Sequence, residues 1–352
     1  MIARFQILLP QPLLVPAGVE YPPIELEHRG YAIRVGTPYK AELDPAQLHQ
    51  ESTVPVGALS LALSPAVDQP VSPTTTLDGG PAVLADALPI EVIADEFDRT
   101  KGTDDPPDEV AFEVANSVLT RLRTLGRSFE IVPVTPESTV WLKTFLNDDG
   151  TELEVDPTKY RRRGGGSFIA KLHAVPENMW RAVDTLSFDH QPKPWEDLLL
   201  DAAEILPRIG PSIVLMSAAI ETRIDTALDI LAETAGWNEE FWKWFRKRNK
   251  DFWKEPSVNE QLSVVLRGLT GRSLKDEPRL WEGHVKIRKA RNAFAHEGVA
   301  AIGDEPVDLE KARELRRLAE EIVDWIESLL PEAERRLPLE EWTTIQYTRQ
   351  MA

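Results

Sequence analysis

The hexad Arg291-Asn292-Ala293-Phe294-Ala295-His296 brings a guanidinium, an amide and an imidazole together over a turn and a half of helix. Breaking an RNA phosphodiester without a metal requires a base for the 2′-hydroxyl, an acid for the departing 5′-oxygen and a cation for the phosphorane. Histidine suits both proton transfers because its ordinary pKa lies near physiological pH. Arginine suits the phosphate because its planar fork makes paired, charge-assisted bonds. Arg288 precedes Asn292 by one turn, and Lys289 lies beside it. Asn292, one turn before His296, either fixes the imidazole or holds substrate.

These groups can act only if their helix turns them outward. Ile287, Ala290 and Phe294 recur at spacings of three and four, which defines a face for packing. At about 100° per residue, Asn292 and His296 fall on the opposite side and Arg291 on the flank. The spacing alone is a weak signal. A histidine in the last turn before a glycine, here Gly298, is ordinarily stabilised by the helix dipole without doing any chemistry.

Composition narrows the setting. Cysteine is absent from the 352 residues, which removes disulfides, thiolate metal sites and a cysteine nucleophile, and fits a reducing cytoplasm. The apolar start is broken by Pro10, Pro12 and Pro16 and makes a poor signal peptide, and no stretch approaches the roughly 20 apolar residues of a membrane span. A net charge of -18 argues against broad nucleic-acid binding, so an RNA site must be local. Most of that negative balance lies in the first 190 residues, whereas the stretch from Glu239 to Arg291 is rich in Lys and Arg. No HExxH, Gly-x-Ser-x-Gly or dinucleotide fingerprint occurs, and no carboxylate set reads as a metal site, so neither metal nor cofactor is expected.

The chain changes grammar near its middle. Its first part is rich in proline and short apolar runs, which predicts an α+β domain of mainly antiparallel strands. Ile24–His28 and Tyr31–Val35 flank Arg29-Gly30 as a hairpin, Val140–Leu146 and 152–155 flank a second turn, and Glu109–Leu125 has a helical period. Ser64–Pro81 and the basic, glycine-rich run 161–167 are expected as mobile loops, the latter solvated rather than phosphate-binding. From Pro194 the periodicity predicts helices near 195–206, 211–235, 238–253, 258–269, 278–297 and 308–335, the last capped by Asp308. Trp237, Phe241, Trp244, Phe245 and Phe252 fit one face of the third of these. Core or dimer packing is favoured for that face over base stacking.

The hexad resembles the Arg-Asn-x-x-x-His signature of the HEPN superfamily, placed before the last long helix as in that family. The stretch Ser217–Asp225 is similar to the family's early helix, whose acidic residue contacts the signature arginine. The resemblance, over about 140 residues, implies that Arg291, Asn292 and His296 are catalytic, with Glu221 (Asp225 second) and Arg288 supporting. Lys243, Arg246, Lys247, Lys250 and Lys289 are candidate RNA contacts. It further implies a homodimer in which two signatures share one cleft. The activity would be a metal-independent endoribonuclease in abortive-infection or toxin-like defence, leaving 2′,3′-cyclic phosphate and 5′-hydroxyl ends. A nucleotide-modified tyrosine found two residues after the histidine in one subgroup is replaced here by Gly298. The expected organisation is an α+β sensor or regulatory domain over residues 1–190, open to a phage or cellular trigger, an all-α HEPN-like bundle over 191–337, and a tail over 338–352. A catalytically silent scaffold binding RNA, nucleotide or protein is the alternative.

Overall fold

The computed structural model describes residues 1–16, 19–40, 76–77, 80–97, 105–136, 138–139, 141–147, 150–151, 173–246 and 255–336. The chain divides into two compact units, Met1–Gln191 and Pro192–Pro338. The first is α+β and the second helical.

The first unit is organised by one long strand, β1 (Ile2–Pro16), whose residues Ala3, Phe5, Ile7 and Leu9 alternate into the core. The hairpin strands β2 (Ile24–His28) and β3 (Tyr31–Val35) form as expected, joined by Arg29 and Gly30 at positive φ. A short β4 (Thr76–Leu77) turns into β5 (Gly80–Ile93), so the end of the segment expected to be a mobile loop is instead a hairpin. Residues 64–75 of that segment, the run 161–167, the strand expected at 152–155 and the tail 338–352 lie outside the described residues.

The sheet order is β2-β3-β5-β1-β6, with β6 at Trp141–Leu146, and all these pairings are antiparallel. A short parallel β7 (His173–Ala174) also joins β1. Pro10 and Pro12 sit where the β1–β5 register shifts between Leu8 and Leu13, a place that needs no ladder donor. Helix α1 (Asp108–Leu125) buries Val110, Val114, Val118 and Leu122 in the same core. A second helix, α2 (Glu177–Thr185), adds Met179, Trp180 and Val183. It was not expected, because nine residues are too few for a periodic signal to emerge.

The second unit contains α3 (Pro194–Glu204), α4 (Ile209–Thr234), α5 (Glu239–Arg246), α6, α7 (Pro278–Glu297) and α8 (Leu309–Ser328). Helix α6 begins as Val258–Glu260, widens into a π turn over Gln261–Val265 and finishes as Leu266–Thr270. Asp308 caps α8 as expected, accepting from the Lys311 N–H at 2.7 Å. That helix stops short of residue 335, because Pro331 cannot continue it and a 3₁₀ turn follows. Between α7 and α8 lies a small hairpin, β8 (Ala301–Ile302) with β9 (Glu305–Pro306). Among the described residues, no helix is long and apolar enough to cross a membrane.

Helix α4 carries a buried cation through the centre of this unit. Arg223 is 0% exposed, pairs through Nε with Glu327 of α8 and stands 4.9 Å from the Trp195 ring of α3. The Glu327 carboxylate also accepts the Arg336 backbone N–H at 2.6 Å, so one acid joins α4, α8 and the segment after it. Removing one member of a buried pair strands the other charge away from water, which costs about 3–5 kcal/mol. Arg223→Ala should therefore lower the unfolding free energy by about that much in chemical denaturation. The double change Arg223→Met with Glu327→Leu should restore most of the loss, and a double mutant no better than the single would contradict this assignment.

Candidate functional site

The candidate site is built on α7, which starts at Pro278 and stops at Gly298. Gly298 has φ +75°, a left-handed conformation that costs glycine little, and its N–H returns to the Phe294 carbonyl at 2.9 Å. Ile287 and Ala290 are 1% and 0% exposed, and Phe294 is partly buried against the same core. Opposite Phe294, the backbone of α4 presents Gly210, and a Cβ at that position would overlap the Phe294 ring. The absence of a side chain therefore lets the ring seat on the helix backbone.

This seating fixes the rotation of α7. Arg288, Lys289, Asn292 and His296 are exposed, and Arg291 is half-buried on the flank. Other cations of the unit are engaged: Lys286 pairs with Glu282 at 2.7 Å, Arg267 with Asp276 at 2.5 Å, and Arg279 with Glu321. By contrast, Arg288, Lys289 and Arg291 form no ion pair among the described residues. Arg291 makes one weak contact, from Nη1 to the Asn292 amide oxygen at 3.4 Å.

The supporting acid does not arrive as expected. Glu221 accepts from the Ser217 hydroxyl at 3.0 Å and forms no ion pair with Arg291. Asp225, the second choice, pairs with Arg246. Arg246 is thereby corrected from a candidate RNA contact to an anchor, since its side chain is 12% exposed, meets Asp229 at 3.5 Å and lies over Trp242 at 5.8 Å. Lys243 remains exposed and pairs with Glu239 at 2.5 Å. Lys247 and Lys250 lie outside the described residues.

Of the two packings expected for the aromatic face, core or dimer, the core of one chain takes little of it. Trp242 is the buried ring at 7%, with Nε1 donating to Asp229 at 2.8 Å, and Phe245 is partly buried beside it. Trp237, Phe241 and Trp244 are 37%, 47% and 43% exposed. Polar anchoring by Trp242 and Arg246 sets the rotation of α5, and periodicity counted only the more numerous apolar rings. Phe252 lies outside the described residues.

Sequence reasoning missed His284. It stands one turn before Arg288 in the row His284, Arg288, Asn292, His296, and that four-residue spacing was the available signal. Unlike the rest of the row, His284 is 4% exposed, and its Nε2 meets the Asn259 amide oxygen of α6 at 2.8 Å. With that oxygen as acceptor, Nε2 carries the proton of a neutral ring. Among the described residues, no three His, Asp or Glu side chains form a group that could hold a metal. The chain matches no family model, no curated protein and no solved structure.

Burial, helped by the nearby Arg288 charge, pushes the His284 pKa down from 6.5 to about 4. The unfolded chain therefore takes up this proton at higher pH than the folded one. The stability that neutral His284 supplies is complete above about 6.5 and is lost as pH falls toward 4. Wild type should lose up to about 3 kcal/mol more than His284→Gln across that window, measured by denaturant unfolding at fixed pH. Equal pH slopes in the two proteins would overturn the assignment.

Proposed function

We propose that the helical unit is an endoribonuclease of HEPN type acting as a homodimer, in keeping with the toxin-like or abortive-infection defence that the resemblance implies. The observation that carries this reading is the open face of α7. Three cations without ion pairs among the described residues, Arg288, Lys289 and Arg291, adjoin the exposed Asn292 and His296. Such cations are available to a phosphate without first breaking an internal ion pair.

In the proposed reaction the 2′-oxygen attacks phosphorus, its proton passes to a base, and the P–O5′ bond breaks as an acid protonates the 5′-oxygen. The products are a 2′,3′-cyclic phosphate and a 5′-hydroxyl. In-line attack places the entering and leaving oxygens on opposite sides of phosphorus, so two proton-transfer groups are needed on opposite sides. One chain offers His296 on this face, because His284 is buried on Asn259. A second copy, related by a two-fold axis, would supply the other imidazole and a second set of guanidiniums.

A second reading draws on one specific observation. With Glu221 held by Ser217, Arg291 lacks the acidic partner that the family resemblance implies, as a scaffold that binds RNA without cutting it would allow.

Cleavage of single-stranded RNA by the purified chain should survive excess EDTA and yield cyclic-phosphate and 5′-hydroxyl ends. His296→Ala should lower the rate by at least about 100-fold, with unfolding free energy unchanged within about 0.5 kcal/mol for so exposed a side chain. Products with 5′-phosphate ends, or activity restored by a divalent ion alone, would reject the mechanism, and absence of any cleavage would favour the scaffold.

A further inference from the structure

The short helix α5 is unusual in what it exposes. Its buried side is secured to α4 by the Trp242 indole on Asp229 at 2.8 Å and by Arg246 on Asp225. The opposite side, with Trp237 two residues before the helix, presents a run of rings. Trp237 and Phe241 have centroids 5.8 Å apart, and Phe241 and Trp244 5.7 Å apart. Phe241 is the most open of the three at 47% exposure.

A ring set of this kind is either a contact for another protein or a surface on which bases stack, and area favours the second. Large aromatic side chains span roughly 150–250 Å² each, so at these exposures the three offer only about 200–300 Å² together. A stable protein interface buries about 800 Å² on each partner. Base stacking needs one accessible ring face at a time and tolerates any sequence. Charge points the same way. Glu239 is neutralised by Lys243, leaving Glu240 as the carboxylate of this helix without an ion pair among the described residues. The sequence continues directly into Lys247, Arg248, Lys250 and Lys254 against Asp251 and Glu255.

We propose that Trp237, Phe241 and Trp244 form a stacking platform for single-stranded RNA, with Phe241 at its centre. It rests on the reading of this unit as one that acts on RNA, and it adds binding residues on a different helix from the α7 face.

The test uses the full chain carrying His296→Ala, so that the probe stays intact, and a fluorescein-labelled oligoadenylate followed by fluorescence anisotropy. Phe241→Ala should weaken binding by about 5- to 100-fold, and Phe241→Tyr, which keeps a ring, should bind like the parent. Light scattering on the same samples should show an unchanged mass. Equal affinity of the alanine variant and the parent overturns the platform, as does a fall in mass with Phe241→Ala, which would assign the rings to a second copy of the chain. A parent protein that binds no RNA overturns both the platform and the RNA reading of function. Phe241-dependent binding by a wild-type chain that cleaves nothing leaves the platform standing and removes only the nuclease.

Discussion

The contact between the Phe294 ring and the backbone of Gly210 decides what α7 offers to solvent. A helix can present its side chains in any rotation until something holds it. Here a ring is seated where α4 has no Cβ, with Ile287 and Ala290 buried on the same side. Everything chemical about the hexad follows from that rotation. Asn292 and His296 stand in the open, Arg291 is held at the flank, and Gly298 ends the helix directly after Glu297. A larger residue at position 210 would act on the outward face without touching any residue of it.

The charge of the unit is arranged to the same effect. The whole chain is strongly acidic, and several cations of the helical unit, among them Arg267, Arg279 and Lys286, are spent on acids within it. Arg223 is the extreme case, taken wholly into the core beside Glu327 and Trp195 to join three parts of the unit. Arg288, Lys289 and Arg291 stand together on one helix and form no ion pair among the described residues. Local attraction of this kind suits a chain whose net charge repels polyanions in general. His284 marks the border of the region, where the same helix row passes under α6 and an imidazole is kept neutral by burial.

How far the sequence could be read depended on how local each signal was. The β2–β3 hairpin, helix α1 and the outward placement of Asn292 and His296 were legible because turn residues and periodicity act over a few positions. The central strand β1 was not recognised, since its prolines argue against a strand until the register shift beside them is known. Arg223 lies on a helix that was singled out, amid apolar Ile220, Ile224 and Ala227, yet its role depends on Glu327 more than a hundred residues away. That α5 turns most of its rings away from the core of its own chain was not legible for a related reason. Two polar anchors on α4 outweigh several apolar rings, and no count of ring positions can register them. Glu221 shows the converse limit, because a residue carried over by resemblance finds a nearer partner in Ser217.

The central claim is that the outward face of α7 is half of a catalytic site completed by a second chain. It is tested most directly by purifying heterodimers of one wild-type and one His296→Ala chain and measuring their RNA cleavage against the wild-type dimer. A shared site lacking one imidazole should leave well under half of the activity. Heterodimers retaining half would show two independent sites, and fully active His296→Ala homodimers would remove this face from the chemistry altogether.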